Sequence, residues 1–279
     1  MKPAGSTRWR YHKLTWLIDE VESLIGDGFS AFTVMRTIED FGRIGTIQWL
    51  KVAGDTKAYI IESSFMQRPP GQREVHIEFG CYVGYTATRL GQLQHRIGRR
   101  TPCVFSMEQD AVHVAVARHI LDLSKLRTIT EVHCGLAPLL TPRLSEEVGG
   151  GGLGFVFMDH RGTRFHREFA DLECLDLLGH ACHATIDNCL LPGAPEFCWG
   201  LSRTHAAAAT AWTLNEFDRP TEDWMVVCNL DRAARRSSGA ASGCSRTSPG
   251  QQRAVMEDDG FPIGMAWSRR THSTGPAAG

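Results

Sequence analysis

The chain has 279 residues, of which 42% are hydrophobic, 22% charged and 9% aromatic. That composition is typical of a globular protein and excludes a collagen-like, coiled-coil or wholly disordered chain. Lysine and arginine together number 30 against 31 aspartates and glutamates, so no overall basic charge is present to attract nucleic acid or an anionic membrane. Because the sequence shows neither a long apolar run nor a secretory leader, we expect a cytoplasmic protein with no nucleic-acid or membrane partner.

The cysteines give a second indication of the cellular environment. There are nine of them, and no two have the C-x-x-C spacing. Disulfide frameworks and zinc sites use an even number or paired spacings. We therefore expect reduced, mostly buried thiols, which agrees with a cytoplasmic location.

The predicted elements follow in chain order. Residues 1–72 are expected to form a helical cap over one face or the mouth of a sheet. Short apolar, β-branched runs then alternate with segments of helical periodicity, which predicts repeated strand–helix units in a parallel sheet. The predicted strands are 74–80, 103–108, 128–134, 154–159 and 184–188. The predicted helices between them are 86–97, 111–123, 138–148 and 165–178.

The end of the chain has a different character. Two apolar runs, 209–217 and 224–230, are joined by the turn-forming segment 218–223, which predicts an antiparallel hairpin. From Asp231 onward serine, glycine, alanine and arginine dominate with little apolar periodicity. Such a composition buries too little apolar surface to fold, so we expect a disordered tail over 231–279.

A glycine-containing turn follows the first predicted strand. It reads Glu78-Phe-Gly80-Cys-Tyr-Val-Gly84, and its glycines let the backbone approach a ligand at the N-terminus of the next helix. The third glycine of the dinucleotide fingerprint is absent, and a carboxylate at Glu78 would repel a pyrophosphate. The turn therefore favours a cationic ligand and disfavours a nicotinamide oxidoreductase.

Acidic and amide side chains end three other predicted strands. Glu108 ends the second strand, where its carboxylate can accept hydrogen bonds from both ribose hydroxyls of a nucleoside. Asp159 ends the fourth strand, and Asp187 and Asn188 end the fifth. Since parallel strands present their carboxyl ends at one edge, Asp159, Asp187 and Asn188 should converge there with Glu78 and Glu108. The two aspartate carboxylates and the amide oxygen of Asn188 suit Mg²⁺. The alternative is that they are solvated, turn-forming or capping residues.

Several segments resemble, in order, the catechol O-methyltransferases within the class I S-adenosylmethionine-dependent methyltransferases. The segments are Trp49-Leu-Lys-Val-Ala-Gly54-Asp55-Thr-Lys57, Glu78-Phe-Gly-Cys-Tyr-Val-Gly-Tyr-Thr86, Met107-Glu108, Asp159-His160 and Asp187-Asn188-Cys-Leu-Leu-Pro192-Gly-Ala-Pro195-Glu-Phe197. The resemblance runs from about Trp49 to Leu230. It implies an α/β Rossmann-like fold: a doubly wound, mostly parallel seven-stranded sheet with helices on both faces and a terminal antiparallel hairpin. Residues 73–230 would form the methyltransferase domain.

The resemblance also implies a set of site residues. Those implied to bind S-adenosylmethionine are Val52, Glu78, Gly80, Tyr82, Thr86, Met107, Glu108, Gly135 and His160. The implied Mg²⁺ ligands are Asp159, Asp187 and Asn188. Trp49 and Pro192 match apolar walls around the catechol ring. By a looser match, Glu216 corresponds to a carboxylate that holds the second hydroxyl of the substrate.

This sequence departs from the family at three places. Asp159-His160 continues with Arg161 and Gly162, where the family has a tryptophan and then a lysine general base. Lys51 replaces a family methionine and brings an amine near the methyl-transfer site, so Lys51 is the candidate replacement base. After the third strand, Gly135-Leu-Ala-Pro replaces the family's Gly-Ala-Ser-Gln contact with adenine.

Taken together, the sequence predicts a monomeric O-methyltransferase. It would use S-adenosylmethionine and Mg²⁺ to methylate a hydroxyl of a catechol-like phenol, the chemistry of catecholamine metabolism. The alternative is a non-catalytic relative that keeps the fold and acts as a binding or regulatory protein.

Overall fold

The computed structural model describes residues 6–24, 30–44, 48–67, 74–203, 207–230 and 270–271. Its strands are β1 (Val75–Phe79), β2 (Val104–Glu108), β3 (Thr130–Cys134), β4 (Leu153–Met158), β5 (Leu178–Ile186), β6 (Ala207–Asn215), β7 (Glu222–Leu230) and β8 (Arg270–Thr271). Its helices are α1 (Ser6–Ser23), α2 (Ala31–Arg43), α3 (Asp55–Gln67), α4 (Tyr85–Arg96), α5 (Ala111–Leu123), α6 (Ala137–Val148), α7 (Gly162–Cys174) and α8 (Pro195–Arg203). An irregular helical turn, Cys189–Gly193, lies between β5 and α8.

All eight strands form one mixed sheet in the order β3-β2-β1-β4-β5-β7-β6-β8. The strands β1 to β5 pair in parallel, while β7 runs antiparallel to both β5 and β6. The first seven strands therefore confirm the predicted doubly wound sheet with its terminal antiparallel hairpin. The carboxyl ends of β1, β2, β4 and β5 lie at one edge, where open α/β sheets bind ligands.

The eighth strand was not predicted. Residues 270 and 271 pair in parallel with Trp212 and Thr213 of β6, so the disordered-tail prediction is wrong for these two residues. Backbone pairing with an exposed strand edge needs no apolar periodicity, which is why composition does not reveal it. The rest of the predicted tail lies outside the described residues.

Helices cover both faces of the sheet. On one face, α3, α4 and α5 pack through residues such as Ile61, Leu90 and Val114. On the other, α6, α7 and α8 contribute residues such as Leu144, Phe165 and Phe197. All residues of β4 are buried, as expected for a central parallel strand covered on both faces.

The N-terminal part of the chain is helical, as predicted, over α1, α2 and α3. In α2, Ser30 caps the helix by accepting a hydrogen bond from the Thr33 backbone N–H at 3.3 Å. Apolar residues recur on one face of α2 and pack against α1, α5 and the start of α4. Among the helices that the structure describes, none is long and apolar enough to cross a membrane.

The largest difference from the predicted element boundaries is at β5. The helix predicted over 165–178 ends at Cys174, and β5 begins at Leu178 instead of residue 184. The register of the β4–β5 pairing shifts between Leu153 and Phe155, and Ala181 has a φ of 57°. This irregularity breaks the strand alternation, so the apolar pair 177–178 extends the helical pattern instead.

The cysteines are mostly as predicted. Seven cysteines in the described part of the chain are free, and five of these are buried. Cys174 is disulfide-bonded, so the prediction of reduced thiols is wrong for this residue. Cys174 lies exposed at the end of α7.

Candidate active site

A cavity of about 910 Å³ opens at the carboxyl edge of the sheet. The sequence-predicted site residues that line it are Lys51, Val52, Gly80, Tyr82, Thr86, Met107, Glu108, Gly135, Asp159, His160, Asp187, Asn188, Pro192 and Glu216. Glu78 and Trp49 are the two predicted residues that do not line the cavity. The fold thus brings together residues from nearly the whole length of the sheet.

The glycine turn after β1 forms one wall of the cavity. Gly80 has a φ of 95° and Gly84 a φ of 85°, a region that favours glycine. A Cβ at Gly80 would lie 2.8 Å from the Asp159 backbone oxygen. Glycine therefore permits the close approach of this turn to the end of β4.

Glu108 lies at the end of β2 and receives several hydrogen bonds. Its carboxylate accepts from the backbone N–H of Tyr82 at 3.0 Å and of Asp110 at 2.9 Å. Burial raises the pKa of Glu108, but the contacts with His113 and these two backbone groups outweigh it and hold the pKa below its usual value. The residue is thus an ionised acceptor suited to sugar hydroxyls.

Glu78 lies behind the cavity wall. Its side chain is 1% exposed and accepts a hydrogen bond from the Ser106 hydroxyl. Burial raises the pKa of Glu78 to about 8. Glu78 was predicted to bind the cofactor, but its carboxylate does not line the cavity, because β1 turns this side chain inward against β2.

The predicted metal ligands meet at the ends of β4 and β5. The Asn188 amide donates to Asp159, and the Asn188 backbone N–H donates to Asp187 Oδ1 at 2.7 Å. Asn188 has a φ of 57°, a left-handed conformation that asparagine tolerates. Burial raises the pKa of both aspartates, to about 6 for Asp187.

These three residues fit Mg²⁺ by their donor chemistry. Two adjacent carboxylates and an amide oxygen are the hard oxygen ligands that suit Mg²⁺. No cluster of three or more histidines, cysteines, aspartates and glutamates that could hold a metal occurs in the described residues. The third ligand is instead the amide of Asn188. A half-turn of that amide would present its oxygen in place of its nitrogen.

A buried lysine lies beside the two carboxylates, and sequence reasoning did not identify it as a site residue. Lys57 is 1% exposed. Its Nζ lies 2.8 Å from Asp187 Oδ1, 2.9 Å from Glu216 Oε2 and 3.0 Å from Asp223 Oδ2. Burial opposes the charge, but the surrounding carboxylates outweigh it and raise the pKa of Lys57 above its ordinary value. Lys57 therefore remains a cation and cannot act as a base.

Asp223 connects this lysine to the turn after β5. Its Oδ1 accepts hydrogen bonds from the backbone N–H groups of Leu190 at 3.2 Å and Leu191 at 3.0 Å. The next residue along the turn is Pro192, which lines the cavity. The Lys57–Asp223 pair thus holds the turn that carries one predicted substrate wall.

Trp49, the second predicted substrate wall, is covered by residues of the β6–β7 hairpin. The Trp49 indole N–H donates to the Phe217 backbone oxygen at 2.9 Å, and the Arg219 guanidinium lies 4.1 Å from the centre of its ring. These contacts hold Trp49 against the β6–β7 hairpin and outside the cavity lining. Arg219 belongs to that hairpin, and no spacing in the sequence connects it to Trp49.

The position of the family's lysine base is closed by packing. A Cβ at Gly162 would lie 2.2 Å from the Gly193 backbone oxygen. The first turn of α7 therefore packs directly on the turn that carries Pro192. The absence of a side chain at 162 is a requirement of this packing.

The strand order and the cavity together define the fold of Rossmann-like class I methyltransferases. Two solved structures share it. An O-methyltransferase from Bacillus cereus in complex with SAH is 17% identical, with a TM-score of 0.55, and the match covers 78% of this chain and 100% of that chain. TomG from Streptomyces achromogenes in complex with SAM is 16% identical, with a TM-score of 0.57, and the match covers 79% and 99%.

The chain is also similar to curated proteins named catechol O-methyltransferase. Catechol O-methyltransferase of Mus musculus is 24% identical over 194 residues, covering 70% of this chain and 69% of that protein. The enzyme of the same name from Sus scrofa is 25% identical over 187 residues, covering 67% and 94%. No protein-family model matches the chain. These likenesses support the catechol O-methyltransferase-like class I methyltransferase family, and the resemblance found in the sequence motifs is confirmed.

Proposed function

We propose that this protein is an O-methyltransferase that uses S-adenosylmethionine and Mg²⁺ to methylate a catechol-like phenol. The observation that carries the proposal is the convergence, in one cavity, of the glycine turn, Glu108 and the cluster of Asp159, Asp187 and Asn188. The cavity volume of about 910 Å³ lies near the upper end of the range for small-molecule sites. It leaves room for a cofactor and a small phenol together.

The cofactor end of the cavity is formed by the turn after β1 and by Glu108. The ionised Glu108 accepts hydrogen bonds from the ribose hydroxyls, and Gly80 lets the backbone approach the methionine portion. His160 is held by Glu168 and would contact the cofactor. These residues bind and orient the methyl donor.

The phenol end is formed by the acidic cluster, Glu216 and Pro192. Asp159, Asp187 and Asn188 would hold Mg²⁺, which supplies a Lewis acid that lowers the pKa of a phenol hydroxyl. Glu216 accepts a hydrogen bond from the second hydroxyl. Lys57 holds both Asp187 and Glu216 in place, so the substrate enters an already ordered set of acceptors.

Methyl transfer requires another group to accept the phenol proton, because position 162 has no lysine. Lys57 stays charged and Gly162 has no side chain, so Lys51 is the candidate base in the lining. Lys51 is exposed at the cavity mouth, where solvent water can also accept the proton. The Lys51→Met variant separates these routes. A loss of about 10²-fold or more in kcat indicates a lysine base, and an unchanged kcat indicates transfer to water.

The alternative function is a non-catalytic binding or regulatory role. It is favoured by the packing that closes position 162. It is also favoured by Ala137 and Pro138, which stand where the family has the hydroxyl and the amide of its adenine contact.

Calorimetric titration separates the two functions before any substrate is chosen. A working site should bind S-adenosylmethionine in a one-to-one complex, and the complex with the demethylated cofactor should then bind a catechol only when Mg²⁺ is present. The Asp187→Asn variant should retain cofactor binding and lose Mg²⁺-dependent catechol binding. Absence of cofactor binding by the wild type would contradict the proposal.

A further inference from the structure

The acidic side chains that line the cavity are all engaged by other groups of the protein. Asp187 and Glu216 contact Lys57, and Asp159 accepts from Asn188. The remaining three acids each accept at least one hydrogen bond or pair with a histidine, and they are Glu108, Asp110 and Glu168. Each acid of the cavity therefore has at least one partner within the protein.

The basic side chains of the cavity are in the opposite situation. Lys51, Arg161 and Arg164 line the same cavity, and none has an acidic partner or a side-chain hydrogen bond within the described residues. Arg164 is half-buried, whereas Lys51 and Arg161 are exposed. Three cations thus border a ligand cavity without a counter-charge.

Two of these cations lie beside the turn that carries Pro192. Arg161 directly precedes α7, and Arg164 lies in the first turn of that helix. That turn packs on the turn carrying Pro192, because the Cβ position of Gly162 lies 2.2 Å from the Gly193 backbone oxygen. Lys51 directly precedes Val52, another lining residue.

We infer that the phenol substrate carries a carboxylate group, and that Arg161 and Arg164 form the site that receives it. This inference rests on the proposed function. A guanidinium binds a carboxylate with two parallel hydrogen bonds, and a partly enclosed cavity strengthens such a pair relative to an open surface. A phenol bearing an amine would add positive charge to a cavity that already has three unpaired cations.

The test compares substrates that differ only in charge. The substrates are dihydroxybenzoate, dihydroxybenzyl alcohol and dihydroxybenzylamine, each with two adjacent hydroxyls. Their kcat/KM values are measured with the wild type at saturating S-adenosylmethionine and Mg²⁺. The carboxylate should have a kcat/KM at least about tenfold above that of the alcohol, and the amine should be the poorest. Arg161→Gln and Arg164→Gln should each lower the carboxylate-to-alcohol ratio several-fold, mainly through KM. Arg167→Gln is the matched control, because Arg167 is exposed on the same helix and outside the cavity lining.

The same preference should appear in binding. Titration of the benzoate and the alcohol into the complex with Mg²⁺ and demethylated cofactor gives the ratio without turnover, so an inactive protein still tests the charge preference. Equal affinity for the two ligands would overturn the inference. It would also be overturned if the arginine variants weakened cofactor binding and left the ligand ratio unchanged, because the cations would then serve the carboxylate of the methionine portion. Failure of the proposed function would instead appear as loss of cofactor binding.

Discussion

At the scale of single residues, the site is built around a buried lysine that no local pattern reveals. Lys57 contacts Glu216 and Asp223, which lie 159 and 166 positions further along the chain. Sequence reasoning could place Asp159, Asp187 and Asn188 together, because each follows a predicted parallel strand. It could not place Lys57 there, since α3 reaches the sheet edge only through tertiary packing.

Glu78 gives a prediction about pH and stability. Its pKa is about 8 in the folded protein against 4.5 for an ordinary glutamate, so the unfolded chain releases this proton first. The stabilising contribution of protonated Glu78 is complete below a pH of about 4.5 and is lost as the pH rises to about 8. Glu78→Gln mimics the protonated form and should show a smaller loss of unfolding free energy over that range, measured by urea denaturation.

The control for this measurement is Glu147→Gln. Glu147 is exposed on α6, so its substitution should leave the pH profile parallel to that of the wild type. If the profile of Glu78→Gln is also parallel to the wild-type profile, Glu78 does not carry the raised pKa.

Gly162 gives a prediction about packing. Any side chain there places a Cβ 2.2 Å from the Gly193 backbone oxygen, so Gly162→Ala should destabilise the protein by about 1–3 kcal/mol. Gly162→Lys shares the same Cβ and should not restore the family's base. Gly200→Ala is the matched control, because nothing lies within 4 Å of its Cβ position in α8. It should be neutral or stabilising by up to about 1 kcal/mol. Equal melting temperatures for Gly162→Ala and Gly200→Ala would contradict the close packing of Gly162 on the Gly193 backbone.

At the scale of elements, the sequence predicted what depends on local pattern and missed what depends on pairing. The helix α5 was predicted with the observed bounds, and the apolar runs of β1, β2 and β4 marked the parallel strands. The first half of β5 was missed because its register shift interrupts the alternation. The strand β8 was missed because the pairing of two residues with a neighbouring strand leaves no periodic pattern in the sequence.

The turn Cys189–Gly193 is the element that we expect to depend on Asp223. Asp223→Ala removes the acceptor of the Leu190 and Leu191 N–H groups and one partner of Lys57, whereas Asp223→Asn keeps an acceptor and loses the charge. Hydrogen exchange at these two amides should accelerate strongly in the alanine variant and less in the asparagine variant. Loss of a buried ion-pair partner should also destabilise both variants by about 3–5 kcal/mol.

Asp122→Ala is the comparison for this pair of variants. Asp122 forms an exposed ion pair with Arg127 at 3.1 Å, and removing such a pair typically costs less than about 1 kcal/mol. Unchanged exchange at Leu190 and Leu191 in Asp223→Ala would show that the turn is held by other contacts.

At the scale of the whole molecule, the sheet explains why so much of the site was predictable. Residues at the ends of parallel strands must meet at one edge, so Glu108, Asp159 and Asp187 could be grouped from strand assignments alone. The charge balance of the cavity could not be predicted in this way. It depends on which side chains contact one another. Arg219 lies over the ring of Trp49, and Glu78 faces Ser106 instead of the cavity.

The most direct test of the central claim is transfer of a labelled methyl group from S-adenosylmethionine to a catechol with and without Mg²⁺. We predict O-methylation that requires Mg²⁺. Because no lysine occupies position 162, the rate should rise with pH as more of the phenol ionises. Absence of label transfer at high pH, with cofactor, Mg²⁺ and both neutral and carboxylate-bearing catechols at saturation, would contradict the methyltransferase assignment and favour the non-catalytic alternative.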